Sequence, residues 1–110
     1  MEFTKNKEGV FLVLAVTGRL DAITARDFEE ECKACIASGE KRLVVDLAGL
    51  EYISSAGLRS ILAVAKLLKP LGGDLAFCDL AGIVAEVFAM SGFAKLLPVF
   101  ATRQEALARA

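Results

Sequence analysis

The chain of 110 residues is 55% hydrophobic and 25% charged, which is enough for one buried core and too little for two ordinary domains. Its formal net charge of -1 offers no attraction to nucleic acid or to an anionic membrane, so neither partner is expected. The apolar runs stop well short of the roughly 20 residues that cross a bilayer, so no direct membrane insertion is expected. With no secretion signal recognisable after Met1, we expect one domain over residues 1–110 and a cytoplasmic location.

An antiparallel hairpin is predicted at the N-terminus. Phe3 and Thr4 favour a short strand, and the polar residues 5–9 indicate the turn that follows it. The apolar, largely branched run over residues 10–16 then predicts a strand that is buried on both faces and ends at Thr17 and Gly18.

The first helix is predicted over residues 25–37. Thr24, with Asp27 three residues later, forms a weaker relative of the capping box. Cys32 and Cys35 share the apolar face near the end of this helix, whereas redox pairs favour a helix N-terminus, where the thiolate is stabilised. We therefore expect the two cysteines to be buried, reduced thiols, with a small thiol enzyme as the alternative.

The second half of the chain alternates between strands and helices. Strands are predicted at residues 43–47, 75–78 and 98–100, and helices at 58–68, 83–90 and 102–108. This alternation predicts an α/β fold with a mostly parallel sheet of about five strands, an antiparallel N-terminal hairpin strand and about four helices. The apolar leucine, isoleucine and valine positions are expected to form the core.

Composition also limits the chemistry. The chain has no histidine, which removes the usual general base, the usual metal ligand and any Ser-His-Asp arrangement. We therefore expect no enzyme activity, no catalytic residues, no metal site and no cofactor. The acidic residues near element ends are expected to be solvated or to cap turns: Asp21, Asp46, Glu51, Asp74 and Asp79.

Ser54 and Ser55 lie where the apolar run that begins at Leu43 ends and a helical pattern begins. They are therefore predicted to lie at a helix start. A serine there accepts a hydrogen bond from a first-turn amide and caps the helix. The same amides and the positive end of the helix dipole tolerate a phosphate, so a phosphoacceptor is the second use of a serine here.

The segment around these serines resembles the signature of the STAS domain, the family of bacterial anti-sigma factor antagonists. The resemblance rests on Asp46-Leu47, Leu50 and Tyr52-Ile53-Ser54-Ser55-Ala56-Gly57-Leu58, and on the turns Gly18-Arg19-Leu20-Asp21, Gly72-Gly73-Asp74 and Met90-Ser91-Gly92-Phe93. In that family the central motif commonly places a phosphorylated serine directly after an aspartate. Matched position by position, Ser55 is the acceptor, Ser54 replaces the aspartate and Ala56 replaces a Ser or Thr.

The resemblance implies a binding module that captures an anti-sigma serine kinase, frees a sigma factor, and lets go when Ser55 is phosphorylated. Ser54 is the secondary acceptor candidate, and a serine phosphatase is a further candidate partner. The implied partner-binding residues are Asp21, Ser54, Ser55, Ala56, Gly57 and Arg59.

Several alternatives stay open from the sequence. The chain is otherwise interpreted as a constitutive STAS docking subunit of a lipid-transport or signalling complex, without phosphorylation. Gly57 fits either close approach of a partner or close packing of its helix on the sheet. Arg59, one turn beyond Ser55, is either a partner for the phosphate or an ordinary exposed arginine.

Overall fold

A computed structural model of the chain describes residues 1–109 and has six strands and five helices in that part. The strands are β1 (Glu2–Glu8), β2 (Phe11–Leu20), β3 (Arg42–Asp46), β4 (Leu50–Ile53), β5 (Asp74–Cys78) and β6 (Val99–Phe100). The helices are α1 (Ala25–Ala37), α2 (Ser55–Leu68), α3 (Gly82–Ser91), α4 (Phe93–Leu96) and α5 (Arg103–Ala108). A 3-10 turn, Lys69–Leu71, follows α2.

The strands form one sheet in the order β1-β2-β3-β5-β6. The pair β1 and β2 is antiparallel, and the remaining pairs are parallel. This confirms the predicted α/β class, the mostly parallel sheet and the antiparallel hairpin. The parallel strands all end at the same edge of the sheet, which we call the carboxyl edge.

The hairpin differs in detail from the prediction. The strand β1 continues to Glu8, which pairs with Phe11, so the turn is Gly9 and Val10 and does not span residues 5–9. Val10 therefore leaves the core and is 60% exposed. The polar residues of β1 suit an edge strand whose side chains face water, and Lys5 forms an ion pair with Glu31 of α1.

The strand β2 also runs further than predicted, and β4 was missed. At Gly18, whose φ of +113° is accessible to glycine, the register shifts and β2 changes its partner from β3 to β4. Leu20 then pairs with Ile53, so residues 50–53 are a strand and not a connection. Four residues are too few for a periodic pattern, and the long β2 supplies the partner that makes them a strand.

The helix α1 has the predicted bounds, but its predicted cap is wrong. The Thr24 hydroxyl makes no hydrogen bond to a first-turn amide of the helix. It donates instead to the Arg19 carbonyl oxygen at 2.7 Å and accepts from the Asp21 amide at 3.0 Å. Thr24 thus stabilises the loop between β2 and α1.

The sheet divides the interior into two cores. The larger core lies between the sheet and helices α1 to α4 and includes Leu20, Phe28, Ile53 and Phe88. The smaller core lies on the opposite face, which we call the back face, and is covered by α5. Its members are Phe11, Val13, Val44, Cys78 and Ala106.

The core prediction was wrong at Ile83, which is 45% exposed at the start of α3. The nearby Val84 and Phe88 fill the space against the sheet instead. The short helix α4 was also not predicted, and four residues give no helical period to detect.

Asp46 is the buried exception among the acidic residues that were expected to be solvated or capping. It is 6% exposed at the end of β3. One carboxylate oxygen accepts hydrogen bonds from Nε and Nη2 of Arg103 at 3.0 and 2.7 Å. The other oxygen accepts from the Ala48 amide at 2.9 Å. This charge pair fastens α5 to the back face.

The three cysteines are buried and form no disulfide, as expected for reduced thiols. Burial raises the pKa of Cys32 and Cys35 and raises that of Cys78 to about 12. A thiol with a raised pKa is a poor nucleophile at neutral pH, so the thiol-enzyme alternative finds no support. Among residues 1–109, no helix is both long enough and apolar enough to span a membrane.

Candidate functional site

The two serines lie at the carboxyl edge of the sheet, at the start of α2. Ser54 is the N-cap of the helix in extended conformation, and its hydroxyl accepts a hydrogen bond from the Gly57 amide at 3.2 Å. Ser55 is the first residue of the helix and is exposed. The capping use therefore belongs to Ser54, and the Ser55 hydroxyl is left free of that task.

The start of α2 is fixed to the end of β2. The Ser54 amide donates to the Leu20 carbonyl oxygen at 3.0 Å, and the Leu58 amide donates to the Ser54 carbonyl oxygen at 2.9 Å. With the Gly57 amide bonded to Ser54, the Ser55 and Ala56 amides have no acceptor among residues 1–109. These two amides and the helix dipole make the surroundings of Ser55 favourable to negative charge.

Gly57 is buried and brings α2 close to the sheet. A Cβ atom at this position would lie 2.6 Å from the Leu20 carbonyl oxygen and 2.9 Å from Cγ1 of Ile53. Both distances are shorter than real Cβ contacts, so a side chain would push the helix start away from the sheet. Of the two uses left open by the sequence, packing of the helix on the sheet accounts for this glycine.

Asp21 lies in the loop that follows β2, next to the serines. Its Oδ1 accepts hydrogen bonds from the Ile23 and Thr24 amides at 3.0 and 3.2 Å. Desolvation raises the pKa of this carboxyl, but the hydrogen bonds from Ile23 and Thr24 and the nearby Arg19 outweigh it, so the pKa is lowered. Asp21 therefore stays charged at neutral pH and keeps its loop in place.

The remaining predicted positions complete the surface. Ala56 is half-buried, and Arg59 is exposed one helical turn after Ser55. The first turn of α2 contains no acidic residue. The structure thus brings Asp21, Ser54, Ser55 and Ala56 together at one edge, with Arg59 one turn further along the helix and Gly57 beneath them.

One further cluster of polar side chains lies at the same edge of the sheet. Potential ligand atoms of Asp46, Cys78 and Asp79 lie within 4.8 Å of one another. Asp46 is already paired with Arg103, whose guanidinium supplies the positive charge that a metal ion would bring. The cluster therefore has the character of a structural ion pair.

Two exposed isoleucines at the carboxyl edge were missed by the sequence analysis. Ile23, in the loop after β2, is 88% exposed, and Ile83, in the first turn of α3, is 45% exposed. An apolar residue in a predicted loop gives a weak signal in the sequence, and Ile83 fits the apolar pattern of its helix. Only the packing of α3 shows that this side chain faces outwards.

Comparison with known families identifies the family to which this fold belongs. The STAS domain family matches residues 3–106, which is nearly the whole chain. The chain belongs to the STAS domain family. The resemblance inferred from the serine motif is thereby confirmed, and members of this family that act as anti-sigma factor antagonists are regulatory binding proteins and not enzymes.

Several relatives of this STAS domain are named anti-sigma factor antagonists. BtrV of Bordetella bronchiseptica, assigned as an anti-sigma factor antagonist, is 42% identical over 98% of this chain and 93% of its own length. The crystal structure of an anti-sigma factor antagonist from Mycobacterium paratuberculosis matches with a TM-score of 0.85 and 25% identity, over 96% and 90% of the two chains. The phosphorylated form of the Bacillus cell fate determinant SpoIIAA matches with a TM-score of 0.71 and 19% identity, over 96% of both chains.

Proposed function

We propose that this STAS domain is an anti-sigma factor antagonist whose partner is an anti-sigma serine kinase. In the unphosphorylated state it holds the kinase and frees a sigma factor, and phosphorylation of Ser55 ends the interaction. The observation that carries the proposal is the division of labour at the start of α2. Ser54 makes the capping hydrogen bond, so the exposed Ser55 can change its charge without loss of the helix start.

The proposed contact surface combines the residues of the carboxyl edge. Asp21, Ser54, Ser55 and Ala56 lie together there, and Arg59 follows one turn later on α2. Gly57 contributes from beneath, because it sets the depth at which the helix start lies against Leu20. The partner therefore meets a backbone whose position is fixed by hydrogen bonds, and the loop of Asp21 is held in the same way.

A phosphate on Ser55 would act on the interface and leave the fold intact. It adds about 1.5 to 2 negative charges, which the free Ser55 and Ala56 amides and the helix dipole favour. Within a closed interface the same charge would lose its water. A penalty of about 4 kcal/mol is enough to weaken binding roughly a thousandfold.

The relatives support this proposal in general terms. BtrV matches 98% of this chain at 42% identity, and the name it carries is that of an anti-sigma factor antagonist. SpoIIAA supports the tolerance of the fold for a phosphate, because a phosphorylated form has the same architecture. A serine phosphatase that restores free Ser55 and a cytoplasmic location, where sigma factors act, complete the proposal.

The direct test is to incubate the purified domain with the anti-sigma serine kinase of the same bacterium and ATP, and to map phosphate by mass spectrometry. We expect phosphate on Ser55, with Ser54 as the secondary candidate. Absence of phosphate from both serines would refute the switch.

A matched set of variants tests the charge mechanism. Ser55→Ala should stay bound to the kinase in the presence of ATP, whereas Ser55→Asp should bind poorly. Ser38→Asp is the control, since it adds the same charge at the exposed end of α1, away from the proposed contact surface. Equal affinity of Ser55→Ala and Ser55→Asp would count against the mechanism.

The second candidate function is a constitutive docking subunit of a lipid-transport or signalling complex. The observation that favours it is Ser54 at the position of the usual aspartate, so that neither the N-cap nor the first turn of α2 is acidic. A stable complex whose assembly is unchanged by Ser55→Asp would support this function over the first.

A further inference from the structure

The exposed large apolar side chains of the domain lie at both edges of the sheet, and they also include Leu67 near the end of α2 and Leu96 at the end of α4. Val10 and Leu71 lie next to the amino ends of β2 and β5, so they belong to the edge of the sheet opposite Ser55. Ile23 follows the carboxyl end of β2, and Ile83 follows that of β5. These two isoleucines therefore lie at the carboxyl edge, together with Ser55.

The packing of the strands places Ser55 between them. The strand β4 pairs with the end of β2 on one side and packs against α3 on the other. Ser55 follows β4 directly, whereas Ile23 belongs to the loop after β2 and Ile83 to the start of α3. The order across this edge is thus Ile23, Ser55, Ile83.

The side of α3 that presents Ile83 also presents Met90 and, between the two, the exposed Glu86. Met90 lies seven residues after Ile83, on the same side of the helix about 10 Å further along, and is 88% exposed. By contrast, the outer side of α1 presents charged residues to water. The outer side of α3 is therefore less charged than that of α1, with Glu86 as the one charged residue of the helix.

We infer that Ile23 and Ile83 are the apolar anchors through which the anti-sigma serine kinase holds the unphosphorylated domain, with Met90 extending the contact along α3. This inference rests on the function proposed above and names the residues that would supply binding energy. Ser55 and Ala56 offer a partner little apolar area, and interfaces draw most of their affinity from a few buried apolar side chains.

The size of the apolar surface argues for this occupant over a second copy of the chain. A stable interface takes about 800 Å² and 20 to 30 residues from each partner. Three side chains fall far short of that area by themselves. They suffice as part of a larger contact, and the carboxyl edge around Ser55 is the surface with which they are continuous.

The anchors also explain how one phosphate could have a large effect. A partner that covers both isoleucines excludes water from the space between them, where Ser55 lies. Charge in such a desolvated position is far less favourable than on an open surface. The apolar contacts thus make the interface sensitive to phosphorylation.

The test measures the affinity of the purified domain for the purified anti-sigma serine kinase by calorimetry, without ATP. Ile23→Ser and Ile83→Ser are each expected to weaken binding about tenfold or more, and Met90→Ser by a smaller factor. The matched controls are Val10→Ser and Leu71→Ser, which remove exposed apolar side chains from the opposite edge and should change affinity less than about twofold. Thermal unfolding checks that each variant is folded, and Ile23→Ser tests the inference should Ile83→Ser fail to fold.

Wild-type affinity for both isoleucine variants, or equal losses in the controls, would overturn the inference. In that case the effect of Ser55→Asp would be retained and the proposed function would stand. Failure of the wild-type domain to bind the kinase would overturn both. A dimer in sedimentation that Ile83→Ser and Met90→Ser dissociate would place a second copy on α3 and also overturn the inference.

Discussion

At the back face of the sheet, the carboxylate of Asp46 is buried and bonded to Arg103, whereas at the carboxyl edge Ser55 is exposed and makes no contact that the fold requires. Both residues come at the boundary between a strand and the next segment. They differ in what surrounds them, since α5 covers one and nothing in residues 1–109 covers the other. A polar side chain that holds two elements together is poorly suited to a switch. A side chain whose structural task is done by its neighbour is well suited to one.

The largest effect on stability is expected when the back face is broken. Asp46→Ala removes both hydrogen bonds to Arg103 and leaves its guanidinium only the longer ion pair with Glu8 at 3.6 Å, which should lower the free energy of unfolding by about 3 kcal/mol. Urea unfolding followed by circular dichroism measures this change. Asp27→Ala, at an exposed position in the first turn of α1, is the control and should change it by less than about 1 kcal/mol. A loss for Asp46→Ala no greater than that of the control would contradict the structural role of the pair.

A smaller loss of stability is expected when the packing beneath the serines is changed. Gly57→Ala places a Cβ atom against the Leu20 carbonyl oxygen, and the resulting overpacking should cost about 2 kcal/mol. The start of α2 must shift to relieve the contact, so amide NMR signals of Ser54 and Leu20 should move as well. An unchanged unfolding free energy would show that packing does not explain this glycine.

Variants of the two serines should distinguish the residue that caps α2 from the proposed switch residue. Ser54→Ala loses the bond to the Gly57 amide and should lower the free energy of unfolding by about 1 kcal/mol. Ser55→Ala removes an exposed hydroxyl and should change it by less than about 0.5 kcal/mol. Chemical denaturation of the two variants side by side gives the comparison, and a larger loss for Ser55→Ala would reverse the assignment of the cap.

The smallest effect concerns pH and the loop beside the serines. Because the folded pKa of Asp21 lies below its unfolded value, its contribution to stability is complete above about pH 4 and is lost as the pH falls through the folded pKa. An NMR titration of the Asp21 carboxyl should show a midpoint below the usual aspartate value, and Asp21→Asn should remove this part of the pH dependence of unfolding. A midpoint at or above that value would contradict the hydrogen bonds assigned to the loop.

Much of the architecture was predictable from the sequence because it rests on local patterns. The bounds of α1, the strand in residues 43–47 and the helix that follows the serines all come from runs of apolar residues with strand or helix spacing. The serine motif also led to the correct family. The hairpin turn and β4 were mistaken, because a charged edge strand and a four-residue strand have too weak a pattern to recognise.

The residues of the candidate site could be predicted from the sequence, but the structural role of each residue was harder to predict. The sequence left both serines as possible caps, and only the hydrogen bond to the Gly57 amide assigns the cap to Ser54. Thr24 was expected to cap α1 and instead bonds within the loop that holds Asp21. Both outcomes depend on the local backbone conformation, which the residue types alone do not determine.

The α/β class, the family and the place of the serine pair at a helix start can all be predicted from the sequence. These depend on apolar spacing and on residues that are neighbours in the chain. Contacts in the folded domain explain why Gly57 is a glycine, which acidic residue is buried and which isoleucines face outwards. Each of these depends on a contact between distant segments: Leu20 beneath Gly57, Arg103 beside Asp46, and β4 between β2 and α3.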